Sequence, residues 1–190
     1  MLCGGIGVLT EYLADYAGQI KGIDFAPLAI DSARQRTRFK TERIQFSVEN
    51  INALQLTAMS VAQVIAVDSL YFVHDLQKLV DELYKGLVPG GRFISFYSCK
   101  SETQAKTRGE ETKLAQALKA AGFVFESIDF TINEQAIWER TECAAEKLKE
   151  DFRVERNLEI YKGRKSEARK NLGWQKKGLM SRHLYVATKP

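Results

Sequence analysis

The sequence predicts an α/β fold: a doubly wound, mostly parallel sheet with helices on both faces. Three observations carry the expectation. A glycine-rich turn, Cys3-Gly4-Gly5-Ile6-Gly7, opens the chain. Apolar strand-like runs and amphipathic helix-like runs then alternate over the first two thirds, the pattern of a parallel sheet with crossover helices. A short strand ending in an acid, Gln19 to Phe25 with Asp24 near its end, follows the turn at the spacing at which an acid takes ribose hydroxyls.

Each element has its own signal. Val8 to Ala17 reads as a helix with Leu9, Leu13 and Ala17 on one stripe. Pro27 suits the first turn of a helix running to Lys40. Ile44 to Val48 is a second strand. Val61 to Val67 is nearly all apolar and predicts a strand buried on both faces. Leu76, Leu79, Val80, Leu83 and Leu87 mark an amphipathic helix. Pro89-Gly90-Gly91 reads as a turn into a strand over Arg92 to Tyr97. Glu110 to Ala121 is a helix with Gly122 as its C-cap, and Phe123 to Phe130 is a strand.

The rhythm breaks from about Asn133 to Lys177. Ile137, Thr141, Ala145, Leu148 and Phe152 recur there at helical spacing, which predicts one or two inserted helices with that stripe as the buried face. The segment 133–177 reads either as a solvated helical edge or as a lid over a pocket. Arg182 to Thr188 then closes the sheet as its last strand, expected to be antiparallel. The 190 residues fit a single domain.

Composition narrows the function classes. A hydrophobic fraction of 45% and a charged fraction of 27% are ordinary for a globular protein. No apolar run approaches the roughly 20 residues of a membrane span, and no secretory signal opens the chain, so no membrane association and a cytoplasmic location are expected. The net charge of +4 does not by itself argue for nucleic acid. Three dispersed cysteines and two histidines, with no C-x-x-C spacing, predict reduced thiols and no metal site.

The glycine turn exposes bare backbone to a ligand and points to a nucleotide-like molecule. Asp24 reads either as a ribose ligand or as a cap for the next helix. Asn50-Ile51 offers a side-chain amide and a backbone N–H to an adenine edge; read alone, Asn50 is a turn residue. The loop Asp68-Ser69-Leu70-Tyr71-Phe72-Val73-His74-Asp75 follows the apolar strand and would face the reacting centre.

Taken together these segments resemble the class I S-adenosylmethionine-dependent methyltransferases. C-G-G-I-G matches the second half of that family's glycine motif, K-G-I-D-F its ribose strand, F-S-V-E-N its adenine segment and L-V-P-G-G-R-F its turn into the fifth strand. The resemblance runs from Leu2 to about Phe130 and resumes at the last strand. It implies S-adenosyl-L-methionine as cofactor, held by Cys3, Gly4, Gly5, Gly7, Asp24, Phe25, Asn50, Ile51, Val67 and Asp68. Asp24 would take the ribose, and Asn50 would lie opposite the adenine amino group. Asp68, Tyr71 and His74 are the candidates for acceptor contact and catalysis. His74 has a suitable unperturbed pKa for a base, or is only the neighbour of a helix cap at Asp75. Trp138 and Arg140 of the insertion either face the pocket or, for Trp138, pack in the core.

Rival classes fail on the same residues. A nicotinamide-binding Rossmann protein wants a third glycine where Thr10 stands. A DNA amino-methyltransferase would carry a Pro-Pro-Tyr motif and a cytosine C5 enzyme a Pro-Cys, but the only prolines are Pro27, Pro89 and Pro190. The resemblance favours methyl transfer to an O or N atom of a small-molecule acceptor, with RNA and protein acceptors still open, no DNA partner expected and a homodimer left open. Met1 stands where the family carries an acid, and the first strand is largely missing, so the sequence predicts a truncated reading frame. The alternative is a non-catalytic protein on the same fold with weak or no cofactor binding.

Overall fold

The structure is a computed structural model, and it describes residues 5–101 and 107–190. The chain divides into two compact units. The first comprises residues 1–97, 113–126 and 185–190.

The first unit alternates strand and helix as the sequence predicts: α1 (Val8–Leu13), β1 (Ile20–Asp24), α2 (Pro27–Arg36), β2 (Ile44–Val48), β3 (Val61–Val67), α3 (Leu76–Gly86), the start of β4 (Leu87–Lys100), α4 (Lys113–Ala120), the start of β5 (Val124–Asp129) and the end of β6 (Met180–Thr188). β1 and β2 pair in parallel, with Ile20 opposite Ile44 and Asp24 opposite Val48. β3 pairs in parallel with β4, and the second ladder runs β3-β4-β6-β5. Gly90 N donates to the Lys189 carbonyl and Lys189 N to the Gly91 carbonyl, so the last strand runs antiparallel to β4 as expected.

Several elements differ from expectation for physical reasons. α1 ends a turn early, at Leu13, in a series of turns that ends at Gly18. α2 ends at Arg36, where Thr37 folds its hydroxyl back onto the Ala33 carbonyl at 2.9 Å. Pro89-Gly90-Gly91 lies inside β4 as a bulge: the register jumps from Val61 opposite Leu87 to Gln63 opposite Arg92. β3 is not buried on both faces. Val64 and Ala66 are buried, Ile65 and Val67 are half-buried, and Ala62 and Gln63 are exposed.

The core of the first unit gathers Val64, Ala66, Leu79, Val80, Leu83, Phe93, Leu114, Leu118, Phe123 and Tyr185. A smaller cluster, Ala14, Ile30, Ala33, Ile44 and Phe46, holds α2 against β1 and β2. Close backbone approach explains Gly7: its φ is 82°, and a Cβ there would lie 2.9 Å from the Ala33 Cβ.

The second unit comprises residues 98–112 and 127–184. Among the described residues its segment 131–176 forms three α-helices rather than one or two: α5 (Thr131–Lys147), α6 (Lys149–Val154) and α7 (Leu158–Lys176). α5 and α7 pack together. Arg169 pairs with Glu142 at 2.6 Å, Lys165 pairs with Glu146, and the Tyr161 hydroxyl donates to Glu146 at 3.0 Å, a register that makes the two helices antiparallel. The expected apolar stripe is not the buried one. Ile137 and Leu148 are exposed, and Ala145 alone of that stripe is buried. The buried face of α5 is set instead by Glu134, whose Oε1 lies 3.4 Å from Arg182, 3.3 Å from Ser98 and 3.3 Å from the Trp138 indole N–H. A buried charge pair of this kind needs such hydrogen bonds to offset its desolvation.

Candidate functional site

The candidate residues that the structure describes lie in the first unit, at the carboxyl ends of β1, β2 and β3 and on the glycine turn. Ligands of open parallel sheets bind at such strand ends. Cys3 and Gly4 lie outside the described residues.

Asp24 closes β1 and is only 7% exposed. Its Oδ2 accepts the Gly5 N–H at 2.9 Å and its Oδ1 accepts the Ala26 N–H at 3.0 Å. The carboxylate thus fixes the glycine turn to the strand end and bends the chain into α2. It does not cap α2, whose N-cap is Ala26, without a side-chain bond. An ionised carboxylate has about four acceptor positions, so two backbone donors leave room for two hydroxyl donors. Gly5 itself adopts φ 51° with open space where a Cβ would stand.

Asn50 follows β2. Its Oδ1 accepts the Asn52 N–H at 2.9 Å, capping a single 3-10 turn over Ile51–Ala53. Because a backbone N–H must face oxygen, the amide orientation is determined, and the NH2 group is the arm that is left. The structure commits that oxygen to the turn. The Ile51 side chain is buried in the core.

Asp68 follows β3 with φ 51°, a left-handed conformation uncommon for a residue with a side chain and frequent at functional sites. Its Oδ1 accepts the Tyr71 hydroxyl at 2.6 Å. Beyond it, Ser69 and Leu70 are buried while Tyr71 and Phe72 are 53% and 51% exposed. Phe25, 57% exposed, meets the Phe72 ring at 5.9 Å between centroids, and Tyr71 meets Phe72 edge-on at 6.1 Å. Three exposed aromatic rings thus touch in series, and the first of them, Tyr71, is bonded to the Asp68 carboxylate. Val67 is half-buried in β3 opposite Phe96.

His74 lies on the surface, and its backbone N–H donates to Asn52 Oδ1 at 2.8 Å. The next residue, Asp75, is the N-cap of α3, accepting the Lys78 N–H at 2.9 Å. The geometry gives His74 the position of a cap's neighbour. Trp138 and Arg140 belong to the second unit, where Trp138 bonds Glu134 and Arg140 is exposed.

Asn52 was not among the residues the sequence singled out. Its amide donates to the Phe72 carbonyl at 2.9 Å while its oxygen accepts from His74. One side chain therefore ties the loop after β2 to the loop after β3. The only signal in the sequence is a second asparagine two positions after Asn50, which any turn could supply.

Among the described residues no group of His, Cys, Asp and Glu could hold a metal ion, and no helix is long and apolar enough to cross a membrane.

The family described as a methyltransferase domain matches residues 2–95. No curated protein matches the chain in sequence. Among solved structures, phosphoethanolamine N-methyltransferase 2 of Haemonchus contortus, in complex with phosphomonomethylethanolamine and S-adenosylhomocysteine, superposes with a TM-score of 0.87 at 20% identity, covering 100% of this chain and 48% of that one. Geranyl diphosphate C-methyltransferase of Streptomyces coelicolor A3(2), with Mg2+, geranyl diphosphate and S-adenosyl-L-homocysteine, superposes with a TM-score of 0.72 at 18% identity, covering 100% and 71%. The cyclase SpnF superposes with a TM-score of 0.79 at 20% identity, covering 100% and 74%. These likenesses establish a shared fold, and this chain spans about half the length of the Haemonchus enzyme.

Proposed function

We propose that the first unit, in which residues 2–95 match the methyltransferase domain family, binds S-adenosyl-L-methionine and transfers the methyl group to an O or N atom of a small molecule. The observation that carries the reading is the Asp24 carboxylate, held by Gly5 and Ala26 with acceptor positions left for a ribose diol. Asn50 then reads the adenine edge through its NH2 group, which suits a ring nitrogen, and the Ile51 N–H lies beside it in sequence. Phe25 supplies a face for the base. Gly5 and Gly7 keep the turn free of side chains, and Val67 and Asp68 end the strand nearest the amino-acid part of the cofactor.

The cofactor's sulfonium makes its methyl electrophilic when bound. What remains for the chain is to hold acceptor and methyl in line and to keep water out, which in favourable cases supplies roughly 7–11 kcal/mol. Tyr71 and Asp68 face the acceptor in this reading. A base is needed only for acceptors that must lose a proton, and the His74 backbone serves the loop.

Binding of S-adenosylhomocysteine, followed by a thermal shift, tests the reading. A shift that Asp24→Ala removes supports it. The cyclase with the same fold keeps a second reading in view, a scaffold that binds without transferring methyl. Binding of the cofactor with no acceptor consumed from any chemical class would favour that reading.

A further inference from the structure

The rim of the site has a charge character that the whole chain lacks. The chain carries 28 Lys and Arg against 24 Asp and Glu. Yet the strand-end stretches 24–26, 49–53 and 67–75 contain Asp24, Glu49, Asp68 and Asp75, one histidine, and no lysine or arginine. Asp24 is committed to backbone, Glu49 pairs with Lys21 at 2.6 Å, and Asp75 caps α3. Asp68 is exposed and its Oδ1 accepts the Tyr71 hydroxyl; the Tyr71 ring meets Phe72, and Phe72 meets Phe25.

We infer that the methyl acceptor is an amine, bound through its cationic or alkylated nitrogen against the Phe72 and Tyr71 rings and the Asp68 carboxylate. The inference rests on the methyl-transfer reading above. Aromatic faces attract alkylammonium groups through the ring quadrupole, most strongly where water is reduced. A carboxylate whose oxygen accepts a phenolic hydroxyl at 2.6 Å is held in place beside them.

The chemistry balances in this setting. An ammonium acceptor first gives one N–H proton to water by way of Asp68. The freed nitrogen lone pair then bonds to the methyl carbon, the carbon–sulfur bond breaks, and its electron pair stays on sulfur. One positive charge leaves sulfur and appears on nitrogen. Asp68 and the rings face a cation before and after the step. A tertiary amine needs no proton loss and gives a quaternary product, the species such rings hold best.

The test uses the full chain saturated with S-adenosylhomocysteine. A trimethylammonium alcohol and its uncharged tert-butyl isostere, 3,3-dimethyl-1-butanol, are titrated and followed by the aromatic ring signals in NMR. Turnover with S-adenosyl-L-methionine is measured in parallel on N,N-dimethylbutylamine, p-cresol and butyrate. The expected result is methylation of the amine alone, with the cation bound at least about tenfold more tightly than the isostere. Phe72→Leu should reduce that preference by about 3- to 30-fold while S-adenosylhomocysteine still binds. Equal binding of the two probes, binding of neither, or turnover of the cresol or butyrate instead would overturn the amine assignment and leave methyl transfer standing. Failure of S-adenosylhomocysteine to bind the unaltered chain would remove the methyl-transfer reading itself, and the amine assignment with it.

Discussion

The carboxylate of Asp24 accepts the backbone N–H of Gly5 at 2.9 Å, across 19 residues of sequence. The same group accepts the Ala26 N–H at 3.0 Å. One buried side chain thus determines both the glycine turn and the exit from β1. Removing it leaves two backbone donors without a partner, at a cost of about 1–3 kcal/mol. Asp24→Ala should lower the melting temperature of the chain and abolish S-adenosylhomocysteine binding. Asp24→Asn should lie between, because one of its two arms is a donor facing an N–H. Thermal melts of the three proteins check the order.

Gly5 and Gly7 both have positive φ, at 51° and 82°, but differ in what surrounds them. A Cβ on Gly5 meets nothing within 4 Å, whereas one on Gly7 meets the Ala33 Cβ at 2.9 Å and its Cα at 3.0 Å. Gly5→Ala should cost only the backbone penalty of about 1–2 kcal/mol. Gly7→Ala adds a steric clash and should cost about 1–3 kcal/mol more. Equilibrium urea unfolding of the two variants measures the difference. Equal losses would show that α2 moves away freely.

Asn52 joins the loops after β2 and β3 through Phe72 and His74. Asn52→Ala should weaken cofactor binding by about tenfold for each 1.4 kcal/mol of loop order lost. It should leave the core of α3, β3 and β4 intact. Hydrogen exchange at the His74 amide, now protected by Asn52, reads this directly: protection should fall at His74 and persist at Val64.

Much of this was legible in the sequence, and where it was not the reason is specific. β2 and β3 have the boundaries expected from five and seven strand-forming residues. Burial of β3 was overestimated because an apolar run looks the same whether one face or two are covered. The face of α5 was misread because polar Glu134, bonded to Arg182, Ser98 and Trp138, occupies the position that periodicity reserves for apolar residues. Asn52 was invisible because an asparagine in a turn carries no sign of the distant loop it bonds. Asp24 was found for its place at a strand end, but its bond to Gly5 could not be read from spacing.

Glu82 on α3 accepts the Leu56 N–H at 2.5 Å and the Lys85 ammonium at 2.8 Å. The Lys85 bond first, then the Leu56 N–H, hold its carboxyl below the ordinary value of 4.5. A carboxyl depressed in the folded state contributes stability that is present above the unfolded value and lost as the pH falls through the folded one. Wild-type stability should therefore fall below about pH 4.5 more steeply than that of Glu82→Gln. Melts from pH 6 to pH 3 on the two proteins should show the curves converging on the acid side, and parallel curves would remove Glu82 from the account.

Isothermal calorimetry of S-adenosylhomocysteine with the unaltered chain and with Asp24→Ala addresses the central claim most directly. The account predicts one site per chain in the first protein and none in the second. No heat with the unaltered chain at millimolar ligand, or equal binding by both proteins, would contradict it.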